Sequence, residues 1–276
     1  MSPYLTRPHP HSATNNLPSP APAPAPPRST LPLPRILCLH GGGVNADIFT
    51  LQCRAIINML SSTFRLVFAD GPHFCGPGPD IVPVYEAYGP FRRWLRWKEG
   101  EHPEIDDEAA TGEIMYCINR AMEEDEGTGE WVGVLGFSQG AKVAASLLYD
   151  TQCRLDKFGK AEPEWKFAVV MQGRPPLVSF GSHSKHPEVC DAGQISEGWD
   201  LKGKFEKRLR LPSVHVHGLQ DYGLELHRRM TREYCDPESV TLVEWDGAHR
   251  LPIKTDDVSK VCQAIWKVAR LQGIRC

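Results

Sequence analysis

The sequence predicts an α/β domain, a mostly parallel six-stranded sheet with helices on both faces. Six short apolar runs alternate with stretches of helical periodicity, the pattern of strands joined by crossover helices. The first of these runs is continuously apolar, as suits a parallel strand covered on both faces. Right-handed crossovers would bring the loops that follow the strands to one rim, where ligands bind in such sheets.

The elements follow in order. Residues 1–33 are rich in Pro, Ala and Ser, with Ala-Pro repeats at 21–26 and no Asp or Glu. Such a segment cannot bury a core and is expected to be a disordered tail. Its prolines oppose the amphipathic helix of a transit peptide, and it has no secretory apolar region. A single domain is expected over 34–276. Arg35-Ile36-Leu37-Cys38-Leu39 is the first strand and ends at His40-Gly41-Gly42-Gly43. Asn45 suits the N-cap of a helix carrying Ile48, Ala55, Ile56 and Met59. Phe64 to Ala69 is the second strand. Residues 71–104 form a long connection dense in aromatics, including Phe74, Tyr85, Tyr88, Phe91, Trp94 and Trp97. A connection of that length in a compact domain usually serves a function.

A helix is expected from Asp106 to Met122, with Ala110, Ile114, Ile118 and Met122 four apart. Trp131 to Leu135 is the third strand, and a helix-forming run follows from Ala141 to Tyr149. Further strands are expected at Phe167 to Met171, Ser213 to His217 and Thr241 to Trp245. A polar excursion separates the first two of these, over about 172–208. Helices are expected over 223–235 and about 256–271.

Between the third strand and its helix stands Gly136-Phe137-Ser138-Gln139-Gly140. This is G-x-S-x-G in a strand–turn–helix context, the setting of a nucleophile elbow. Glycines on either side allow strand and helix to approach closely, and the Gln139 N–H at the helix start points where an oxyanion would form. A serine hydroxyl needs a base; His249 follows the last strand. The base needs an orienting acid; Asp221 follows the preceding strand. The order Ser138, Asp221, His249 is that of α/β-hydrolases.

These residues also have plainer readings. Asp221 alone would serve as a helix N-cap, and His249 as a surface histidine. Asp246 is a rival acid, three residues before His249 on the same loop, where reaching Nδ1 is awkward. His215 and His217 share a strand face, but no third ligand is evident nearby, so packing is expected rather than metal. His40 closes a strand and is placed to bond loop carbonyls. Gly41–Gly43 offers the second oxyanion donor, with Gly42 preferred.

The segments Leu39-His40-Gly41-Gly42-Gly43, Phe68-Ala69-Asp70-Gly71-Pro72, Gly136-Phe137-Ser138-Gln139-Gly140-Ala141, His217-Gly218-Leu219-Gln220-Asp221 and Gly247-Ala248-His249 resemble the fungal serine hydrolase family. Within it, Gly76-Pro77-Gly78 followed by Tyr88-Gly89-Pro90 resembles the esterase/thioesterase enzymes of fungal polyketide gene clusters. Gln172-Gly173 departs from the Ser-Gly often found there. The resemblance implies an α/β-hydrolase fold and a serine esterase or thioesterase. It also implies release of an acyl chain from an acyl carrier domain of a polyketide synthase. The aromatic connection then becomes a candidate acyl pocket through Tyr88, Phe91 and Trp94. No cofactor or metal is required by such chemistry. A general carboxylesterase, an acyl-protein thioesterase and a non-catalytic hydrolase-fold binding module are the alternatives.

Composition bounds the partners. The net charge of −3 gives no reason to expect nucleic acid or an anionic membrane. No apolar run is long enough to cross a bilayer. Nine cysteines, an odd number without any C-x-x-C pair, oppose a disulfide framework or structural zinc, and fit reduced thiols in the cytoplasm.

Overall fold

The computed structural model describes residues 29–78, 81–82, 84–97, 99–100, 104–199 and 204–276. Of the expected tail, residues 1–28 lie outside that range. Residues 29–33 are bonded to the domain: Thr128 N–H donates to Leu31 O at 2.8 Å, and Arg65 Nη1 donates to Thr30 Oγ1 at 3.1 Å.

The chain opens with β1 (Arg35–Leu39), α1 (Ala46–Gln52), α2 (Arg54–Leu60) and β2 (Arg65–Ala69). The aromatic connection carries β3 (His73–Cys75) and β4 (Phe91–Arg93), which pair as an antiparallel hairpin. Then come α3 (Asp107–Glu124), β5 (Trp131–Phe137), α4 (Gln139–Phe158) and β6 (Phe167–Met171). The excursion over 172–208 holds the two-residue strands β7 (Val178–Ser179) and β8 (Cys190–Asp191). Finally β9 (Ser213–Gly218), α5 (Leu224–Arg229), β10 (Val240–Trp245) and α6 (Thr255–Leu271) complete the chain.

The central sheet has six strands in the order β10-β9-β6-β5-β1-β2, and every adjacent pair is parallel. Strand side chains alternate between faces. Leu37, Leu39 and Val134 therefore join the core under α3 and α4, with Ile114, Ile118 and Leu148. Ile36, Cys38 and Leu135 join the core under α1, α2 and α6, with Phe49, Ile56, Val258 and Ile265. That two-sided burial is why the strands read as apolar runs.

The winding fixes where the site lies. From β1 the chain steps to β2 on one side, and from β5 it proceeds to β6, β9 and β10 on the other. The carboxyl ends of β1 and β5 thus flank the switch point, where open α/β sheets form a crevice. The Asn45 cap forms as expected, its Oδ1 accepting from Ile48 N–H; Asp106 Oδ1 accepts from Glu108 and Ala109 N–H and caps α3. Two expectations are revised. The helix expected over 223–235 is α-helical only to Arg229 and continues as a π turn to Tyr234. The excursion over 172–208 is less polar than its sequence suggests, because Leu177, Val178, Phe180 and Cys190 pack on α4.

Candidate active site

Ser138 sits between β5 and α4 at φ 53° and ψ −113°, a left-handed conformation that costs a non-glycine residue free energy. The turn is held by close packing. A Cβ at Gly136 would collide with Gly140 O, and one at Gly140 with Leu39 O. Ser138 N–H donates to Met171 O at 2.9 Å, which ties the turn to β6. The hydroxyl is thereby raised above the sheet edge at the positive end of α4.

Ser138, Asp221 and His249 come together as expected from their order. His249 Nε2 lies 3.0 Å from Ser138 Oγ, and His249 Nδ1 lies 2.7 Å from Asp221 Oδ2. Gly223 N–H donates to Asp221 Oδ1 at 2.7 Å. Burial opposes charge on Asp221, but His227, His249 and Gly223 outweigh it, and the carboxyl is held well below its usual range. It is an anion at neutral pH, so it fixes Nδ1–H on His249 and leaves Nε2 free to accept the serine proton. Asp246 instead accepts from Gln220 Nε2 at 2.6 Å at the surface.

The loops bearing the acid and the base are laced together. Gln220 N–H donates to Gly247 O at 2.9 Å. Gln172, at φ 56°, donates through Nε2 to Ala248 O and Arg250 O at 3.0 and 3.2 Å. The residue that departs from the family's Ser-Gly pattern therefore braces the His249 loop.

His227 is a site residue that sequence reasoning missed. It is fully buried, stacks on His249 with centroids 6.2 Å apart, and lies 3.1 Å from Asp221 Oδ2 through Nε2. Its Nδ1 is 3.1 Å from Gly173 O. Only its place six residues after Asp221 hinted at this. Asp221, His227 and His249 are also the one group of potential metal ligands among the described residues, with atoms within 4.8 Å of one another. The shared carboxylate already accounts for that spacing.

On the oxyanion side, Gly43 N–H is taken by Arg92 O at 2.9 Å. Gly42 is exposed and stands beside the Gln139 side chain. Beneath this loop lies His40, whose Nε2 accepts from Gly71 N–H at 2.9 Å and whose Nδ1 donates to Gly41 O at 2.7 Å. Burial above all pulls its pKa down to about 4, so the ring is neutral. The Gln139 side chain clamps the aromatic connection: Oε1 accepts from Trp94 and Leu95 N–H, and Nε2 donates to Leu95 O.

The expected pocket residues Tyr88, Phe91 and Trp94 need correction. Trp94 is 0% exposed; its Nε1–H donates to His40 O at 3.0 Å. Phe91 packs on the small cluster of Val44, Ile48 and Ile81. Tyr88 is at the surface and is tied to Asn45 through its carbonyl, not its ring. The reason is the ladder in which Arg92 bonds Gly43 and Val44, which turns Trp94 under the Gly41–Gly43 loop.

Two clefts open at Ser138 instead. One, about 530 Å³, runs past His249 between Val44, Ile81, Val84, Tyr85, Phe137, Leu251 and Ile253. The other, about 460 Å³, lies past Gln139 and contains Arg93, Lys142, Arg174, Trp97, Tyr222 and Glu197.

A family model described as serine hydrolase (FSH1) matches residues 30–261. The chain belongs to that family. It is 47% identical over 259 residues to the esterase pigG of Monascus ruber, covering 89% of this chain and 95% of that one. It is 46% identical over 259 residues to the esterase claE of Penicillium crustosum, covering 89% and 96%. Among solved structures, esterase PE8 superposes with a TM-score of 0.51 at 15% identity, over 86% of this chain and 93% of that chain; this likeness concerns the fold. The protein is a serine hydrolase with an α/β-hydrolase fold. Among the described residues, no helix is long and apolar enough to cross a membrane.

Proposed function

We propose that the protein hydrolyses acyl thioesters or esters through Ser138, His249 and Asp221. The observation that carries this is the continuous pair of hydrogen bonds from Ser138 Oγ to His249 and from His249 to Asp221. Ser138 Oγ attacks the acyl carbonyl while His249 Nε2 takes its proton. The tetrahedral oxyanion is held by the N–H groups of Gln139 and Gly42. His249 returns the proton to the leaving thiol or alcohol, and the acyl-serine forms. Water, activated by His249, then attacks the acyl-serine and frees the acid.

The finer reading is release of a polyketide acyl chain from a synthase carrier domain. It is supported by the glycine-proline and tyrosine-glycine-proline signature of the aromatic connection, and by the apolar cleft that starts at Ser138 and is open to an extended chain. Nine free thiols suit a reducing, cytoplasmic setting. The test is intact-protein mass after incubation with acyl-loaded carrier protein. Wild type is expected to take up and discharge the acyl group, and Ser138→Ala to take up none. A fluorophosphonate probe should label wild type and not Ser138→Ala. Labelling of the mutant refutes the nucleophile, and hydrolysis of simple esters without any turnover of carrier-bound thioester favours a general carboxylesterase.

A further inference from the structure

The second cleft has a charge pattern that ester hydrolysis alone does not require. Arg93, Lys142 and Arg174 line it, with Glu197 as the acid among its lining residues. Lys142 is 1% exposed. Its Nζ donates to Ser196 Oγ at 2.8 Å and stands 5.7 Å over the Trp97 ring. The Arg174 charge is near enough to oppose that of the ammonium. Arg174 lies 5.6 Å over Trp97 and 5.0 Å over Tyr222. Its Nε and Nη2 are buried and have no hydrogen-bond partner among the described residues. Among the lining residues three cationic side chains stand against the one carboxylate of Glu197, and surroundings of low polarity strengthen their field, so the pocket beside the nucleophile is net positive.

Geometry limits what fills it. Lys142 lies on α4 four residues after Ser138, the residue that caps that helix, a rise of about 6 Å. Helical side chains lean toward the N-terminus, so the ammonium is carried back toward the elbow. Ser138 itself lines the cleft. An anion held there is therefore close to the scissile carbonyl.

We infer that the acyl group of the substrate carries a second, anionic oxygen, a carboxylate or equally acidic group, and that Lys142 and Arg174 bind it in this cleft. The inference rests on the hydrolase reading above. Burial, the largest influence, brings the Lys142 pKa down to about 8, so the ammonium is charged at neutral pH. A phosphate on a pantetheine-type leaving group has the same chemistry, but it lies at the far end of a long arm, whereas this cation is one helical turn from the nucleophile. The apolar cleft on the other side of Ser138 then takes the uncharged portion of the substrate.

The test compares two aryl esters of equal length, p-nitrophenyl hydrogen adipate and its methyl ester, with the full chain. The quantity read is the ratio of kcat/KM for the acid over the methyl ester. Wild type is expected to favour the acid. Arg174→Gln and Lys142→Gln should each lower the ratio about tenfold or more, as for loss of a charge-assisted hydrogen bond. Arg174→Lys should retain part of it. Circular dichroism confirms folding, and Arg174→Gln decides the matter if the buried Lys142 variant does not fold. A wild-type ratio of one or below, or a ratio unchanged in Arg174→Gln, overturns the inference. A second series uses one neutral acyl chain on pantetheine and on 4′-phosphopantetheine. If Arg174→Gln alters only the preference between those two, the anion is the phosphate and the acyl-side assignment is wrong. Failure of the hydrolase reading looks different: the neutral methyl ester is not turned over, or is turned over equally by Ser138→Ala.

Discussion

Replacing Trp94 separates a structural indole from a substrate-binding one. The side chain is fully buried, its Nε1–H is the donor to His40 O at 3.0 Å, and its ring lies 5.3 Å from that of His40. Trp94→Ala removes a large core side chain, at about 3–5 kcal/mol for the transfer and cavity. It also strips the His40 carbonyl of that donor, at about 1–3 kcal/mol. Against a typical total of about 5–15 kcal/mol, the variant is marginal. Trp94→Phe is the better probe. It keeps an aromatic ring and loses the N–H, so about 2 kcal/mol should go. The assay is urea unfolding followed by circular dichroism, with kcat/KM measured across a chain-length series of acyl-pantetheine thioesters. Trp94→Phe is expected to unfold at lower urea, with kcat/KM reduced by a similar factor for every chain length. The reason is that Trp94 supports the Gly41–Gly43 loop proposed to hold the oxyanion and lines neither cleft. Wild-type stability together with a flattened chain-length series would refute this reasoning and return Trp94 to the acyl pocket.

Further outcomes are expected. Asp221→Asn should fold and lose about 10³-fold or more in turnover, because the wrong imidazole tautomer is favoured; Asp246→Asn should change little, and the reverse ranking removes Asp221 as the acid. Acid should destabilise the fold early. Burial above all depresses the pKa of His40 and His217 to about 4 and of His215 to about 3. Unfolded histidines titrate near 6.5, so the unfolded state binds more protons below that pH. The stability is present above about pH 6.5 and is lost as pH falls toward the folded values, by roughly 1 kcal/mol per histidine at pH 5.5. Equal urea midpoints at pH 7.0 and 5.5 would show that these rings are not held neutral. Deleting residues 1–28, which are Pro- and Ala-rich, should leave melting temperature and turnover unchanged; a drop of several degrees would show that they dock on the domain.

The sequence by itself determined the architecture and singled out the candidate reacting groups. Apolar runs at 35–39, 131–135 and 167–171 read as strands of a sheet covered on both faces, and both faces of each are buried. Gly136 and Gly140 marked the close approach at Ser138, and the short spacing from Asp246 to His249 on one loop pointed to Asp221 as the acid. Local rules suffice there: periodicity, turn chemistry and the fixed hand of the crossovers act on neighbours in the chain. Only the tertiary structure decided what the aromatics of 71–104 face. An irregular connection has no period, so its composition says that apolar groups are present but not which side they bury. Trp94 went under His40 because backbone bonds from Arg92 to the β1 loop drew it inward. The cationic cleft was hidden for a related reason. Arg93, Lys142, Arg174 and Glu197 come from three separate segments, and Lys142 sits in a run that reads as ordinary helix. Charges far apart in sequence acquire a shared field only when the fold removes the water between them.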